Sequence, residues 1–310
     1  MEVVINAILT IIGIAMLCYG GNWLVNGGVA IAQKLRVSKM LIGLTIVAYG
    51  TSTPELAASI AAAGEHGAII LGNVIGSNIA NIGMVIGISA ILIPLVVKKI
   101  QVQKEIPIML GVSFLLVLLS LDGEISQYDG ILLLVSMIIF TIFTYNDVKK
   151  QRRIANESKY EILEKKISTN TIILFGIGIL LLYFGAILTI NNAVILAEFF
   201  GLHERIIGIT IIAIGTSIPE LVTSIIAIRK KHIDIGVGNI IGSNIYNILM
   251  VMGVGATIAG ITISSEVFVD YMVMIGFAFV MFIVLKTGLI TKKIGIGFVA
   301  AYAIYLVLIF

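Results

Sequence analysis

The chain has 310 residues, of which 59% are hydrophobic and 12% are charged, and its formal net charge is +3. Its mean hydropathy of +1.13 excludes an ordinary water-soluble domain, which carries a far larger polar and charged fraction. The single cysteine, Cys18, excludes an internal disulfide framework.

Long apolar runs recur along the whole chain. A run of about 20 residues is enough for an α-helix to cross a membrane, and these runs lack the alternation of barrel strands. We therefore predict an all-α polytopic membrane protein with ten transmembrane helices. The first run begins near the first residue without a basic leader, so we expect a permanent span. The predicted spans are 3–33, 38–63, 68–96, 105–121, 127–145, 169–198, 205–228, 235–260, 266–285 and 292–310.

Positive charge in the short loops predicts the orientation, because Lys and Arg are retained on the cytoplasmic side. With the N-terminus outside, 19 of the 20 basic residues lie in cytoplasmic loops, and Arg205 is the exception. We therefore expect a multi-pass protein of the plasma membrane with both termini extracellular. The polar segment 146–168 is then a solvated cytoplasmic loop, too short to hold a folded domain.

Two motifs occur twice, in the same order, along the chain. Residues 48–60 match residues 213–225 at nine of thirteen positions, and residues 72–82 match residues 238–248 at nine of eleven. Each half has five predicted spans, an odd number, so the second half enters the membrane from the opposite side. Inverted repeats of this kind place a transporter's substrate site at their interface. The predicted domains are an N-terminal five-helix repeat, a cytoplasmic linker and a C-terminal inverted five-helix repeat, at 1–145, 146–168 and 169–310.

The first motif reads Gly-Thr-Ser-Thr-Pro-Glu at 50–55 and Gly-Thr-Ser-Ile-Pro-Glu at 215–220. Proline removes a backbone donor and glycine adds freedom, so we expect each helix to break here, deep in the membrane. Unpaired carbonyls at that depth must line a cavity or meet a ligand. Glu55 and Glu220 are the only acidic residues placed deep inside the predicted spans, and such a carboxylate marks an ion path or a proton relay. The motif therefore predicts a cation site.

Hydroxyl groups accompany each glutamate, since Thr51 and Ser52 lie four and three residues before Glu55 and face the same side of the helix. Thr216 and Ser217 repeat this spacing before the second glutamate. Two carboxylates with several neutral oxygens suit Ca²⁺, and the lack of deep His or Cys argues against zinc or copper.

The second motif places Asn73, Ser77 and Asn81 on one stripe of a helix, and 239, 243 and 247 repeat the pattern. Four of the motif asparagines are interpreted as interhelical hydrogen-bonding groups, namely Asn73, Asn78, Asn239 and Asn244. Four other polar residues are interpreted as candidate ligands, namely Ser77, Asn81, Ser243 and Asn247.

At these residues the chain resembles the sodium/calcium exchangers of the calcium/cation antiporter superfamily. The α-repeats of that family read Gly-Thr-Ser-x-Pro-Glu and Gly-Asn-x-x-Gly-Ser-Asn, as residues 50–55, 72–78, 215–220 and 238–244 do here. The resemblance covers the whole ten-span plan. It implies a prokaryotic form without a regulatory domain, a secondary antiporter that exchanges Na⁺ for Ca²⁺ by alternating access. It also implies electrogenic transport and neither an enzyme activity nor a cofactor.

The resemblance further implies a set of ligands. The Ca²⁺ ligands are Glu55, Glu220 and the backbone carbonyls of Thr51 and Thr216. The Na⁺ ligands are Ser52, Ser77, Ala48, Ser217, Ser243 and Ala213. The central positions are Asn81 and Asn247. Some members carry Asp where this chain has Asn247, and the neutral amide argues against K⁺ co-transport.

Other functions stay open on the residues alone. A Ca²⁺/H⁺ antiporter on the same scaffold is the main alternative, because a buried glutamate can also titrate. An ion channel usually builds its pore from symmetric subunits, and an intramembrane enzyme would need a nucleophile, a metal triad or a deep His. The expected partners are Na⁺, Ca²⁺ and the lipid bilayer, with no nucleic acid and no obligatory protein partner.

Overall fold

A computed structural model describes residues 2–63, 67–97, 103–157, 168–199 and 213–309. The helices in chain order are α1 (Glu2–Leu35), α2 (Lys39–Thr51), α3 (Thr53–Ala62), α4 (Gly67–Leu92), α5 (Glu105–Leu119), α6 (Gln127–Glu157), α7 (Thr169–Phe199), α8 (Ala213–Thr216), α9 (Ile218–Arg229), α10 (Ile233–Ala259), α11 (Val267–Thr287) and α12 (Lys292–Ile309). The strands are β1 (Leu95–Val96), β2 (Glu124–Ile125), β3 (Ile261–Thr262) and β4 (Leu289–Ile290).

The predicted all-α membrane architecture is confirmed, although the predicted number of spans is not reached. Within the described ranges, seven helices are long and apolar enough to cross a membrane, namely α1, α4, α6, α7, α10, α11 and α12. Helices α2 and α5 are apolar but shorter. One reason for the lower count is that the predicted span 38–63 is broken into α2 and α3. Another is that the predicted span 205–228 begins outside the described residues.

The helix break predicted at the first motif is present in both copies. Ser52 has φ −88° and ψ 11°, and Ser217 has φ −87° and ψ 3°, so both leave the helical region. Pro54 and Pro219 then stand in the first turn of α3 and α9. Proline is favoured there, because its missing N–H would have no partner within the helix. The break therefore starts a new helix in each half.

Helix α6 is longer than predicted. It continues from Gln127 to Glu157 and so enters the segment 146–168 that was predicted as a solvated cytoplasmic linker. Its extension is tethered by an ion pair in which the Lys104 ammonium lies 3.1 Å from the Asp147 carboxylate. Residues 158–167 lie outside the described part of the chain.

Helices α4 and α10 form the centre of the molecule. In each of them 83% of the most apolar 18-residue stretch is buried, compared with 17% of the corresponding stretch in α12. Helix α10 packs closely along α2, because a Cβ atom at Gly238 would lie 2.5 Å from the backbone oxygen of Met40. Only glycine allows this approach. The motif helix of the second half is thereby held against the helix that leads to Glu55.

Helices α1 and α7 pack against each other along their length. A Cβ atom at Gly20 would lie 2.8 Å from the backbone oxygen of Gly178, and one at Gly13 would lie 2.9 Å from that of Gly185. Glycines at a crossing let two membrane helices approach to backbone contact. The two long helices therefore form one tightly packed pair beside the central helices.

Two small antiparallel sheets lie next to the C-terminal ends of the central helices. In one, β1 pairs with β4, and Leu95 lies opposite Ile290. In the other, β2 pairs with β3, and Ile125 lies opposite Ile261. Each sheet joins the segment that follows a central helix, α4 or α10, to the connection between two peripheral helices. Each sheet therefore joins a strand of the first half of the chain to a strand of the second half.

Candidate ion-binding site

Two carboxylates lie at the first turns of two short helices. Glu55 stands in the first turn of α3 and Glu220 in the first turn of α9, and both are 0% exposed. The N-terminus of a helix carries a partial positive charge that favours an anion there. Ser52, which lies three residues before Glu55, is within hydrogen-bonding distance of the Glu220 carboxylate. The structure therefore brings together the two acidic residues that the motif predicted.

One glutamate is bonded across the two halves. The Glu220 Oε1 atom accepts a hydrogen bond from Ser52 Oγ at 2.9 Å and another from Ser243 Oγ at 3.3 Å. The other glutamate differs, since neither carboxylate oxygen of Glu55 is hydrogen-bonded within the described residues, and the same holds for Glu220 Oε2. Buried carboxylate oxygens without donors are costly, and a bound cation or proton removes that cost.

The hydroxyl groups of the two motifs meet in equivalent pairs. Thr51 Oγ1 lies 3.5 Å from Ser243 Oγ, and Thr216 Oγ1 lies 3.5 Å from Ser77 Oγ. Each pair joins the first motif of one half to the second motif of the other half. Hydroxyl and carboxylate oxygens of this kind are the ligands that hard cations prefer.

The motif asparagines form interhelical hydrogen bonds, as expected. Asn73 Nδ2 donates to Ser59 Oγ at 3.1 Å, and Asn239 Nδ2 donates to Ser224 Oγ at 3.2 Å. These two bonds tie the motif helices α4 and α10 to α3 and α9. Ser59 and Ser224 were not singled out from the sequence, although both are identical positions of the aligned repeat.

The remaining predicted ligands occupy related places. Ala48 is buried in the turn before the first break, and Ser217, which forms the second break, is 0% exposed with its Oγ atom unbonded among the described residues. Ala213 begins α8, the short helix before the second break. Asn81 and Asn247 are both 0% exposed. Each of them begins a π-helical segment, and the sequence contains no local signal for it.

The donor set is rich in oxygen and poor in nitrogen and sulfur. Across the described part of the chain, no three His, Cys, Asp or Glu residues cluster in a way that could hold a metal ion. The site instead combines two carboxylates with hydroxyl and amide oxygens. That chemistry suits Ca²⁺ and Na⁺ and does not suit zinc or copper.

Comparison with known proteins assigns the chain to a family. The family model described as "Sodium/calcium exchanger protein" matches residues 5–146 and 170–310. The chain belongs to the sodium/calcium exchanger family. The resemblance drawn from the two motifs is therefore confirmed, and the chain is a multi-pass membrane cation/Ca²⁺ antiporter.

The matches to relatives and to solved structures cover most or nearly all of the chain. Sodium/calcium exchanger MaX1 of Methanosarcina acetivorans is 30% identical, with 99% of each chain covered. The putative antiporter CaxA of Alkalimonas amylolytica is 37% identical over 82% of this chain and 81% of that protein. A structure of the sodium-calcium exchanger NCX_Mj, soaked with zero Na⁺ and Ca²⁺, has a TM-score of 0.85 and 31% identity. The likeness covers 99% of this chain and 100% of that one.

Proposed function

We propose that this exchanger moves Na⁺ one way and Ca²⁺ the other across the cell membrane by alternating access, electrogenically and without K⁺. The observation that carries the proposal is the pair of fully buried glutamates, one from each motif copy, with Ser52 of one copy bonded to Glu220 of the other. The family and the NCX_Mj likeness support the same ions.

Charge balance explains why exchange would be obligatory. Two carboxylates neutralise one Ca²⁺, and bringing either carboxylate into the membrane without a counter-charge is costly. Several Na⁺ ions can use the same carboxylates together with the neighbouring hydroxyl groups, but not while Ca²⁺ is bound. Competition for Glu55 and Glu220 therefore couples the two fluxes.

The proposed ligands follow from this competition. Ca²⁺ takes Glu55, Glu220, Thr51 and Thr216. Na⁺ takes Ser52, Ser77, Ala48, Ser217, Ser243 and Ala213. The central positions are Asn81 and Asn247. These central amides are neutral, so the site keeps a charge of two carboxylates, which supports K⁺-independent exchange. The additional neutral oxygens support more Na⁺ charge than one Ca²⁺ carries, and hence electrogenic transport.

The proposed architecture is ten spans in two inverted five-helix repeats, 1–145 and 169–310, with the linker 146–168. Three observations support it. The two sheets are equivalent under exchange of the halves. The hydroxyl pairs around the glutamates are equivalent as well. The family model matches two separate stretches, 5–146 and 170–310. In this arrangement the packed pair α1 and α7 slides across the central helices and opens each side in turn.

The proposed orientation has both termini outside the cell and the linker in the cytoplasm. The sheets support it, because each pairs segments that this orientation assigns to the same side. Strands β1 and β4 adjoin the lysine-bearing connections, and β2 and β3 belong to the lysine-poor ones. The membrane proposed for this orientation is the plasma membrane.

The test uses the purified exchanger in vesicles, with ⁴⁵Ca²⁺ uptake driven by Na⁺, K⁺ or H⁺ gradients imposed separately. Na⁺-driven uptake that needs no K⁺ is expected. Glu55→Gln and Glu220→Gln are each expected to abolish it, because one carboxylate leaves Ca²⁺ uncompensated. Glu124→Gln is the matched control, since that carboxylate is exposed in β2 and far from the motifs in sequence. Near-normal uptake by either site variant would refute the assignment.

A Ca²⁺/H⁺ antiporter is the second candidate. It is favoured by the unbonded carboxylate oxygens of Glu55, each of which could hold a proton. A pH gradient at constant Na⁺ would then drive Ca²⁺ uptake, whereas a Na⁺ gradient at constant pH would not.

A further inference from the structure

The central helices α4 and α10 are joined by hydrogen bonds from the side-chain amides of four asparagines. Asn78 and Asn81 lie on α4, Asn244 and Asn247 lie on α10, and all four side chains are buried. Asn78 and Asn244 do not belong to the proposed ion ligands. Their hydrogen bonds nevertheless determine which way the amides of the other two asparagines face.

The orientation of Asn78 follows from a backbone carbonyl, which can only accept. Asn78 Nδ2 lies 3.2 Å from the backbone oxygen of Asn244, so the NH₂ group must face that side. A second N–H can donate to the sulfur of Met274, 3.8 Å away. The Oδ1 atom of Asn78 is therefore left to accept, and it accepts from Asn247 Nδ2 at 3.3 Å. Asn247 must present its NH₂ group to Asn78, which turns its own Oδ1 atom away.

The same reasoning applies in the other direction. Asn244 Nδ2 donates to the backbone oxygen of Asn78 at 3.4 Å and lies 3.7 Å from the sulfur of Met109. Its Oδ1 atom accepts from Asn81 Nδ2 at 3.0 Å. Asn81 is thereby also fixed with its carbonyl oxygen turned away from the contact between the helices.

The amide oxygens of Asn81 and Asn247 accept no hydrogen bond within the described part of the chain. Asn81 Oδ1 and Asn247 Oδ1 are buried and make no hydrogen bond with any described residue. Each lies four residues after a motif serine, Ser77 or Ser243, which is about 6 Å along the same face of the helix. Those serines contact the threonines of the opposite half, and Ser243 also contacts Glu220. An unpaired amide oxygen near such a site can serve as a cation ligand.

We propose that Asn78 and Asn244 are positioning residues, which hold the amides of Asn81 and Asn247 with their carbonyl oxygens toward the transported cations. The proposal rests on the proposed function, because it takes the site to bind cations. A flipped amide at Asn247 would set its oxygen against Asn78 Oδ1 and turn its NH₂ group toward the ion. The reciprocal pair thus excludes the orientation that would repel a cation.

A double-mutant cycle tests the pairing. Asn78→Leu removes the acceptor that fixes Asn247, and we expect the KM for the transported ion to rise about three- to tenfold, the effect of one lost hydrogen bond, with a smaller change in kcat. In the background of Asn247→Asp the same change is expected to cost much less. A carboxylate has two equivalent oxygens and no donor, so it needs no orienting acceptor. Equal penalties in both backgrounds would overturn the proposal.

Two further measurements separate positioning from packing. Ser120→Ala removes another buried interhelical hydrogen bond, at 2.7 Å to the Tyr271 hydroxyl, and should lower the melting temperature without changing the KM. A rise in KM equal to that of Asn78→Leu would overturn the positioning role. The mirrored cycle, Asn244→Leu with Asn81→Asp, repeats the test if Asn78→Leu does not fold.

The same cycle read out by melting temperature, in choline buffer with a chelator, does not depend on transport. Coupling between positions 78 and 247 is expected there as well, because the substituted carboxylate would face the Asn78 oxygen. Absence of Na⁺- or Ca²⁺-dependent flux in the native chain would refute the proposed function alone. Absence of coupling in the ion-free unfolding would refute the amide pairing.

Discussion

The serines at the two helix breaks should have opposite effects on the conformations of the exchanger. Ser52 Oγ donates to Glu220 Oε1 at 2.9 Å, whereas Ser217 Oγ has no partner among the described residues. Both side chains are 0% exposed, so burial does not distinguish them. If the inverted halves exchange roles during transport, the opposite conformation bonds Ser217 to Glu55 instead.

The size of the effect follows from the lost bond. A hydrogen bond to a charged group contributes about 1.5–3 kcal/mol, and about 1.4 kcal/mol is a factor of ten. Ser52→Ala should therefore shift the equilibrium away from the conformation described here by roughly ten- to a hundredfold. Ser217→Ala should leave this conformation unchanged and destabilise the opposite one by a similar amount.

The assay is the KM for Ca²⁺ measured separately from each face of oriented vesicles. Destabilising the conformation that opens to one face raises the KM on that face and lowers it on the other. Ser52→Ala and Ser217→Ala should thus change the ratio of the two KM values in opposite directions. Ser120→Ala, whose hydrogen bond lies away from the motifs, should leave the ratio unchanged. The same direction of change for both break serines would refute the reasoning.

Two other predictions concern regions outside the site. Gly178→Leu should destabilise the exchanger by about 1–3 kcal/mol, since a Cβ atom there would lie 2.9 Å from the backbone oxygen of Gly20. Gly176→Leu on the same helix meets nothing within 4 Å, and equal melting temperatures for the two variants would contradict the close packing. Burial and the neighbouring Lys39 lower the pKa of His232, whose Nδ1 atom lies 3.0 Å from the Lys39 ammonium. The unfolded chain binds that proton first, so this contact should stabilise the protein above pH ~6.5 and lose its effect as the pH falls through the lowered folded pKa. His232→Gln should reduce the fall in melting temperature between pH 7.5 and pH 5, and an undiminished fall would contradict the assignment.

Much of the site was predictable because its signals are local. A proline followed by a glutamate inside an apolar run breaks the helix and places a costly charge beside the break, whatever the rest of the chain does. The structure confirms both breaks and both buried carboxylates. The predicted end of α6 was wrong, because the local signal there did not determine the structure. Polar residues after position 145 indicated a loop, but a helix can continue into water when its ion pairs and propensity allow.

Composition and the repeated motifs by themselves determined the membrane class, the family, the helix breaks and the identity of the buried acids. Each of these depends on residue chemistry within one turn or one span. The tertiary structure alone decided that Ser52 reaches Glu220, that Glu55 stays unbonded, and that the Asn78 and Asn244 amides orient Asn81 and Asn247. Those contacts join residues more than 160 positions apart. They depend on the depth and rotation at which one half packs against the other, and no local pattern encodes that relation.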